Sequence, residues 1–371
     1  MMGIWGGIRR ACLSVAALAV ILVPARADVV LGIAGPMGGS FADVGRDIKA
    51  GVEIAVAAAN ARGGIGGEKI RTVVVDDKCE AETGAAVANQ LIGKSVRAVI
   101  GHACTAAALP AARVYDDGGV LFLSPAATNP RFTDEKVGDG VFRLSIRSDL
   151  EGKAIADYLE ARFEGKRVAF VHDGSVYGQG LVDQAAKLFA DGGGAVAMTE
   201  RFTPGEKSQN NLIGKIQDAA VSAVVMGALQ ADAAVIAGEM WARGLDAVLI
   251  GNESLALTEF KGLAGDAAEG TVFFLPFVDK SLPQAVGLLL SLEDRQLMPT
   301  DTVFTAHAAT EAAIAALNAG GDLSAQANVL RKDGVDTVLG HVTFDDKGDW
   351  SGAAFEPYVW QGDAFVPLPR D

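Results

Sequence analysis

Short apolar runs alternate along this chain with longer stretches whose apolar positions recur near every 3.6 residues, which predicts strand, helix, strand, repeated. Residues 29–34 read as a strand, and 44–62 as an Ala-rich helix ended by Gly63-Gly64 and Gly66-Gly67. Strand 71–75, helix 81–92 and strands 96–101, 120–124 and 141–146 follow. The pattern then restarts with helix 150–163, strand 167–171, helix 179–190, strand 195–202, helix 208–219, strand 223–226, helix 232–243 and strand 247–251. Residues 271–276 read as a crossing strand, 284–292 and 304–319 as helices, and 338–344 and 356–360 as tail strands. Strands that alternate with helices pair in parallel and need cover on both faces. The fold class expected is therefore α/β, and the restart predicts two Rossmann-like lobes with parallel sheets. Irregular stretches near Arg147, Phe277 and Gly352 are candidate crossings, which together make a three-strand hinge. Lobe 1 would then hold residues 28–147 plus 277–352, and lobe 2 residues 148–276 plus 353–371.

In open sheets of this kind ligands bind beyond the carboxyl ends of the strands. That is where this chain keeps its small and hydroxyl residues. His102-Ala103-Cys104-Thr105 follows strand 96–101, and Pro125-Ala126-Ala127-Thr128 follows strand 120–124. A helix start at each turn offers free backbone N–H groups and the positive end of a helix dipole. Two such turns side by side, with the hydroxyls of Thr105 and Thr128, suit a small anion such as a carboxylate. Helix capping is the commonest role of such threonines and is compatible with ligand donation.

The 371 residues exceed what one core usually holds, in keeping with two domains. Arg9-Arg10 precedes an apolar run over residues 11–23 that is too short to span a bilayer, and Ala25-Arg26-Ala27 has the small-x-small form of a cleavage site. Residues 1–27 are expected to be a signal peptide cleaved near Ala27, which sends a soluble remainder to the periplasm. That segment carries three arginines and no acids, so its loss moves the formal charge from −14 to −17. Such a balance disfavours nucleic acid and anionic membranes as partners, and any anion site must be local. Cys79 and Cys104 alone lie beyond the signal segment. An oxidising compartment and an even count favour a disulfide over two separate buried thiols.

Seven segments, taken in order, carry a resemblance over nearly the whole mature chain: ANARGGIGGEKI (59–70), DDKCE (76–80), VIGHACT (99–105), SPAATNP (124–130), VHDGSVYGQGL (171–181), IGNES (250–254) and TFDDKGDW (343–350). They resemble the periplasmic leucine/isoleucine/valine-binding proteins, the type I solute-binding receptors of ABC transporters. The resemblance implies two lobes that close on an amino acid, and delivery of that amino acid to an inner-membrane ABC permease. It implies a Cys79–Cys104 bridge. Thr105 stands where the family donates a hydroxyl to the ligand carboxylate, and Ala126 and Thr128 where it uses a backbone N–H and a threonine. Tyr177 resembles a ligand-contacting tyrosine of the second lobe, and Glu253 an acid that pairs with the ligand ammonium. From the residues alone, Tyr177 would be a surface-turn tyrosine and Glu253 a solvated loop acid.

Three positions depart from the family pattern. Val44 and Leu229 stand where aromatic residues are common, and Ala103 where a bulkier residue is common. A roomier side-chain pocket without ring stacking is expected, one that takes leucine-sized or larger apolar side chains. The same departure leaves open another ligand, such as 4-aminobutyrate or an aromatic amino acid. His102, His172, His307 and His341 lie far apart without metal-ligand spacing, and no metal or cofactor is expected. The glycines after the first strand are interrupted by Pro36 and lack the dinucleotide-binding spacing. No G-x-S-x-G elbow occurs. The expected protein is a monomeric receptor rather than an enzyme. An exported enzyme on the same scaffold would have only Glu253 with Tyr177 as its acid–base candidates.

Overall fold

The computed structural model describes residue 2 and residues 28–135 and 137–369. The expected signal peptide lies, Met2 apart, outside them. Strands β1 (Val29–Gly35), β2 (Ile70–Asp76), β3 (Ala98–Gly101), β4 (Leu121–Ser124) and β5 (Val141–Arg143) form a parallel sheet in the order β2-β1-β3-β4-β5. Strands β6 (Arg167–His172), β7 (Ala195–Arg201), β8 (Ala223–Gly227), β9 (Val248–Gly251) and β10 (Val272–Pro276) begin a second sheet. After a small antiparallel ribbon of β11 (Val335–Thr337) and β12 (Gly340–Val342), the chain returns to this sheet with β13 (Phe355–Gln361) and β14 (Ala364–Pro367). The second sheet runs β14-β13-β10-β9-β8-β6-β7, parallel except for the antiparallel pairs β10–β13 and β13–β14.

Alternation along the strands explains the layers. On β1, Leu31 and Ile33 face one way and pack with Ile48, Val52, Val303 and Phe304 of helices Ala42–Ala61 and Asp301–Ala319. Val30 and Ala34 face the other way and pack with Val87, Leu91, Ala108 and Tyr115 of helices Ala81–Gly93 and Thr105–Asp117. The second sheet is covered likewise. Ala169 and Val171 pack with Ile213, Ile236 and Phe260, whereas Val168 and Phe170 pack with Ile155, Leu159, Val182 and Phe189. The central strands of both sheets are therefore buried on two faces, which is why they read as near-continuous apolar runs, whereas the edge strands β2, β7 and β14 are partly or largely exposed.

The chain passes between the sheets after β5, after β10 and again before β13, where Phe277 N–H donates to the Ala354 carbonyl at 3.0 Å. This is the type I periplasmic binding protein architecture. Three expected elements differ from what is found. The run 141–146 is a strand only to Arg143; beyond it the chain leaves the sheet toward the second lobe. Residues 338–344 are not one strand. Val338 and Leu339 turn between β11 and β12, and Gly340 takes φ +86°, which breaks the extended run. The turn after β4 does not open directly into a helix. Residues 125–130 are irregular, and only the four-residue helix Arg131–Asp134 follows, so no helix dipole stands at Thr128.

Candidate ligand-binding cleft

A cleft of about 470 Å³ opens at the carboxyl ends of the two sheets. Pro125, Ala126 and Thr128 reach it from the loop after β4, Ser145, Ile146 and Ser148 from the crossing after β5, and Asp301, Thr302 and Thr305 from helix Asp301–Ala319. From the second lobe come Glu151, Tyr177 and Glu253, with Pro276, Val278 and Phe355 at the two other crossings. Neither lysine nor arginine lines it; of its three carboxylates Asp301 is paired with Lys280 at 2.6 Å, so Glu151 and Glu253, with backbone groups, set the local electrostatics.

The loop after β4 is held from beneath. Ser124 Oγ accepts from Ala127 N–H at 3.0 Å and donates to the His102 carbonyl at 2.9 Å. Arg143 donates to the carbonyls of Asn129 at 2.8 Å and Ala127 at 3.3 Å, and Ser145 Oγ donates to the Ala127 carbonyl at 2.6 Å. Thr305 Oγ1 donates to the Pro125 carbonyl at 2.9 Å, which ties helix Asp301–Ala319 to the same loop. With these carbonyls occupied from below, the backbone N–H groups of Ala126 and Thr128 have no partner among the described residues. Thr128 itself is exposed. The geometry suits an incoming acceptor such as a carboxylate, by fixed amides rather than by a helix dipole.

On the opposite wall, Glu151 is the second residue of helix Leu150–Arg162 and Tyr177 the second of helix Val176–Asp191. Tyr177 Oη donates to Glu151 Oε2 at 2.8 Å. Glu151 is only 3% exposed. Burial pushes its carboxyl up to about 7, helped by the nearby Glu253 charge and opposed by hydrogen bonds from Tyr177 and from the Glu253 backbone. Burial of the Tyr177 hydroxyl, with the Glu151 charge beside it, raises the phenol above its ordinary range, so it stays a donor at neutral pH. Glu253 opens the turn Glu253–Ala256. Asn252 sets that turn: its Oδ1 accepts from Ser254 N–H at 3.1 Å and its Nδ2 donates to the Ala228 carbonyl at 3.2 Å.

Ala126, Thr128, Tyr177 and Glu253 thus share one cleft. Thr105, Val44, Ala103 and Leu229 are not among its lining residues. Thr105 begins helix Thr105–Asp117, and its Oγ1 accepts from Asn129 N–H at 3.4 Å, so it joins the two turns. Ala103 is buried in the first lobe's core with half-buried Val44 packed against that core, whereas Leu229 is 61% exposed as the N-cap of helix Gln230–Ala242. Cys79 and Cys104 are bridged, with Cα atoms 5.2 Å apart. Beside the bridge, buried Asp77 Oδ2 meets His102 Nδ1 at 2.7 Å, and His102 Nε2 meets Tyr115 Oη at 3.1 Å. Glu151, Ser145 and Asp301 escaped the sequence reading. Glu151 alone left a signal there, as an acid on the apolar side of a predicted helix.

The sequence profile of the periplasmic binding protein family matches residues 28–354. The chain belongs to that family. It is 35% identical over 338 residues to the Leu/Ile/Val-binding protein homolog 2 of Brucella abortus, covering 90% of this chain and 91% of that one. It is 30% identical over 342 residues to a leucine-, isoleucine-, valine-, threonine- and alanine-binding protein of Pseudomonas aeruginosa, with 91% of each chain covered. An ABC transporter substrate-binding protein from Desulfitobacterium hafniense, crystallised in complex with Leu, superposes with a TM-score of 0.71 at 25% identity, over 92% of this chain and all of that one. As a periplasmic binding protein the chain is a substrate-binding receptor in kind. Among its described residues no helix is long and apolar enough to cross a membrane.

Proposed function

We propose that this protein captures an aliphatic amino acid between its lobes, in the periplasm, and presents it as a monomer to an inner-membrane ABC permease. One observation carries the reading: Ala126 and Thr128, whose backbone donors have no partner among the described residues, line a single cleft with Tyr177 and Glu253. A zwitterion needs donors at one end and an acceptor at the other. When these sit on opposite lobes, the ligand itself bridges the closed state, and closure depends on binding. Thr105 enters through the loop it ties, and Val44, Ala103 and Leu229 would border the ligand's side chain only as the lobes approach. The names of the relatives point to leucine, isoleucine and valine. No bond need be made or broken, because differential affinity for the closed state is sufficient.

The test is a thermal-shift screen of refolded residues 28–371 against the twenty amino acids and 4-aminobutyrate, since a ligand bound only by the native state raises its melting temperature. Leucine, isoleucine or valine should give the largest shifts. A larger shift with glycine, alanine or 4-aminobutyrate would sink the aliphatic assignment. Turnover of the bound amino acid would sink the receptor assignment.

A further inference from the structure

The second lobe presents two carboxylates to the cleft where one would satisfy a single ion pair. Glu151 and Glu253 both line it with no basic residue in the lining, whereas Asp301 of the first lobe is already paired with Lys280 at 2.6 Å. Glu151 is the unusual member. It is 3% exposed, Tyr177 occupies Oε2, and Oε1 is buried with no well-formed hydrogen bond among the described residues, the backbone of Glu253 being the one further group close enough to favour its charged form. A buried carboxylate oxygen left unmatched is costly, and native proteins seldom keep one without a use for it.

We propose that Glu151 is a second ligand-reading carboxylate, whose free oxygen accepts from the ligand's ammonium group beside Glu253. This inference rests on the receptor reading above and sharpens it. An ammonium has three N–H donors, and two acceptors on one wall require that it be present, so the cleft selects an amino compound over the same skeleton lacking the amino group. Capture is also coupled to a proton. The groups that face Glu151 are Tyr177 from the neighbouring helix and Glu253 from the turn beyond β9, with Asp301 across the cleft. On its own helix Lys153 pairs with Asp157, Asp149 before it pairs with Arg147, and across the cleft Lys280 pairs with Asp301, so each of these cations is already matched. Burial holds the empty site's carboxyl up to about 7, and an arriving ammonium favours the charged form, so binding releases a proton near neutral pH.

The experiment compares the wild type with Glu151→Gln, using L-leucine as probe in titration calorimetry at pH 6 and pH 8 in buffers of different ionisation enthalpy. The amide keeps the shape and can still accept from Tyr177. Wild type should bind more tightly at pH 8 and release a fraction of a proton at pH 7. E151Q should bind about tenfold or more weakly at pH 8 and release none. 4-Methylpentanoate, the same skeleton without the amino group, should bind neither protein measurably. Wild-type affinity and pH profile in E151Q overturn this inference and leave the receptor reading standing. A wild type that binds no L-leucine overturns both. Circular dichroism and the melting temperature of E151Q separate loss of the site from loss of the fold.

Discussion

Arg143 and Asp349, 206 positions apart in the chain, form a buried ion pair at 2.6 Å. The Arg143 side chain is fully buried, and its remaining donors hold the Ala127 and Asn129 carbonyls of the loop that presents Ala126 and Thr128. Asp349 also receives Arg147 at 2.8 Å, and Arg147 in turn grips Asp134 and Asp149. The last segment of the first lobe is thereby bolted under the cleft. Attraction in such a pair roughly offsets desolvation, but removal of one partner strands the other charge. Asp349→Ala should therefore lower stability by about 3–5 kcal/mol, read as a shift in the urea midpoint, and weaken ligand affinity as the loop loosens. An unshifted midpoint would exclude the pair from the support of the site.

The Cys79–Cys104 bridge closes a loop between positions 25 apart, from the end of β2 to the start of helix Thr105–Asp117. Restricting the unfolded chain by a loop of that length contributes about 3–4 kcal/mol in the chain-entropy model. The Cys79→Ser/Cys104→Ser double variant should lose that much, and dithiothreitol should lower the unfolding midpoint of the wild type but not of the variant.

Glu253→Ala should weaken L-leucine binding roughly tenfold to a hundredfold, because a charged hydrogen bond contributes about 1.5–3 kcal/mol. Stability of the unliganded protein should change little, since Glu253 is exposed. Calorimetry that finds unchanged affinity would remove Glu253 from the site.

Glu151 makes the empty protein's stability depend on pH. Its folded-state carboxyl is raised from 4.5 to about 7, so the folded form holds the proton more tightly than the unfolded chain does. The associated stability is fully present below the unfolded value and is lost as pH rises through about 7, on the order of 3 kcal/mol in all. Glu151→Gln should flatten this slope and stabilise the ligand-free protein at pH 8 while weakening capture. Melting temperatures at pH 5 and pH 8, without ligand, distinguish the two proteins.

Much of the fold was legible in the order of residues. Burial on both faces leaves central parallel strands as apolar runs, and covering helices repeat near 3.6, so most strands and helices from β1 to β10 were readable to within a few residues, whereas the short helices Arg131–Asp134 and Thr258–Ala264 were not read at all. The places that misled share a cause. Arg143 sits in an apolar run that reads as strand to residue 146, yet its hydrogen bonds run to a loop and to Asp349, which local periodicity does not encode. Residues 338–344 read as strand because the turn at Val338-Leu339 is apolar, and Gly340 was the one sign of the break.

By itself the sequence determined the layers, the bridge partners and the two hydroxyl-rich turns beyond β3 and β4. These depend on near neighbours, on chain alternation and on there being two cysteines to join. The tertiary structure alone decided which of those residues meet. It placed Ala126 and Thr128 opposite Tyr177 and Glu253, withdrew Thr105, Val44, Ala103 and Leu229 from the cleft lining, and brought in Glu151 with one buried oxygen unmatched. The physical reason is that burial and hydrogen-bond partnership at a cleft are set by groups far apart in the chain. Glu151 is a carboxylate in any arrangement, but only packing against Tyr177 and Glu253 makes it a reader of charge.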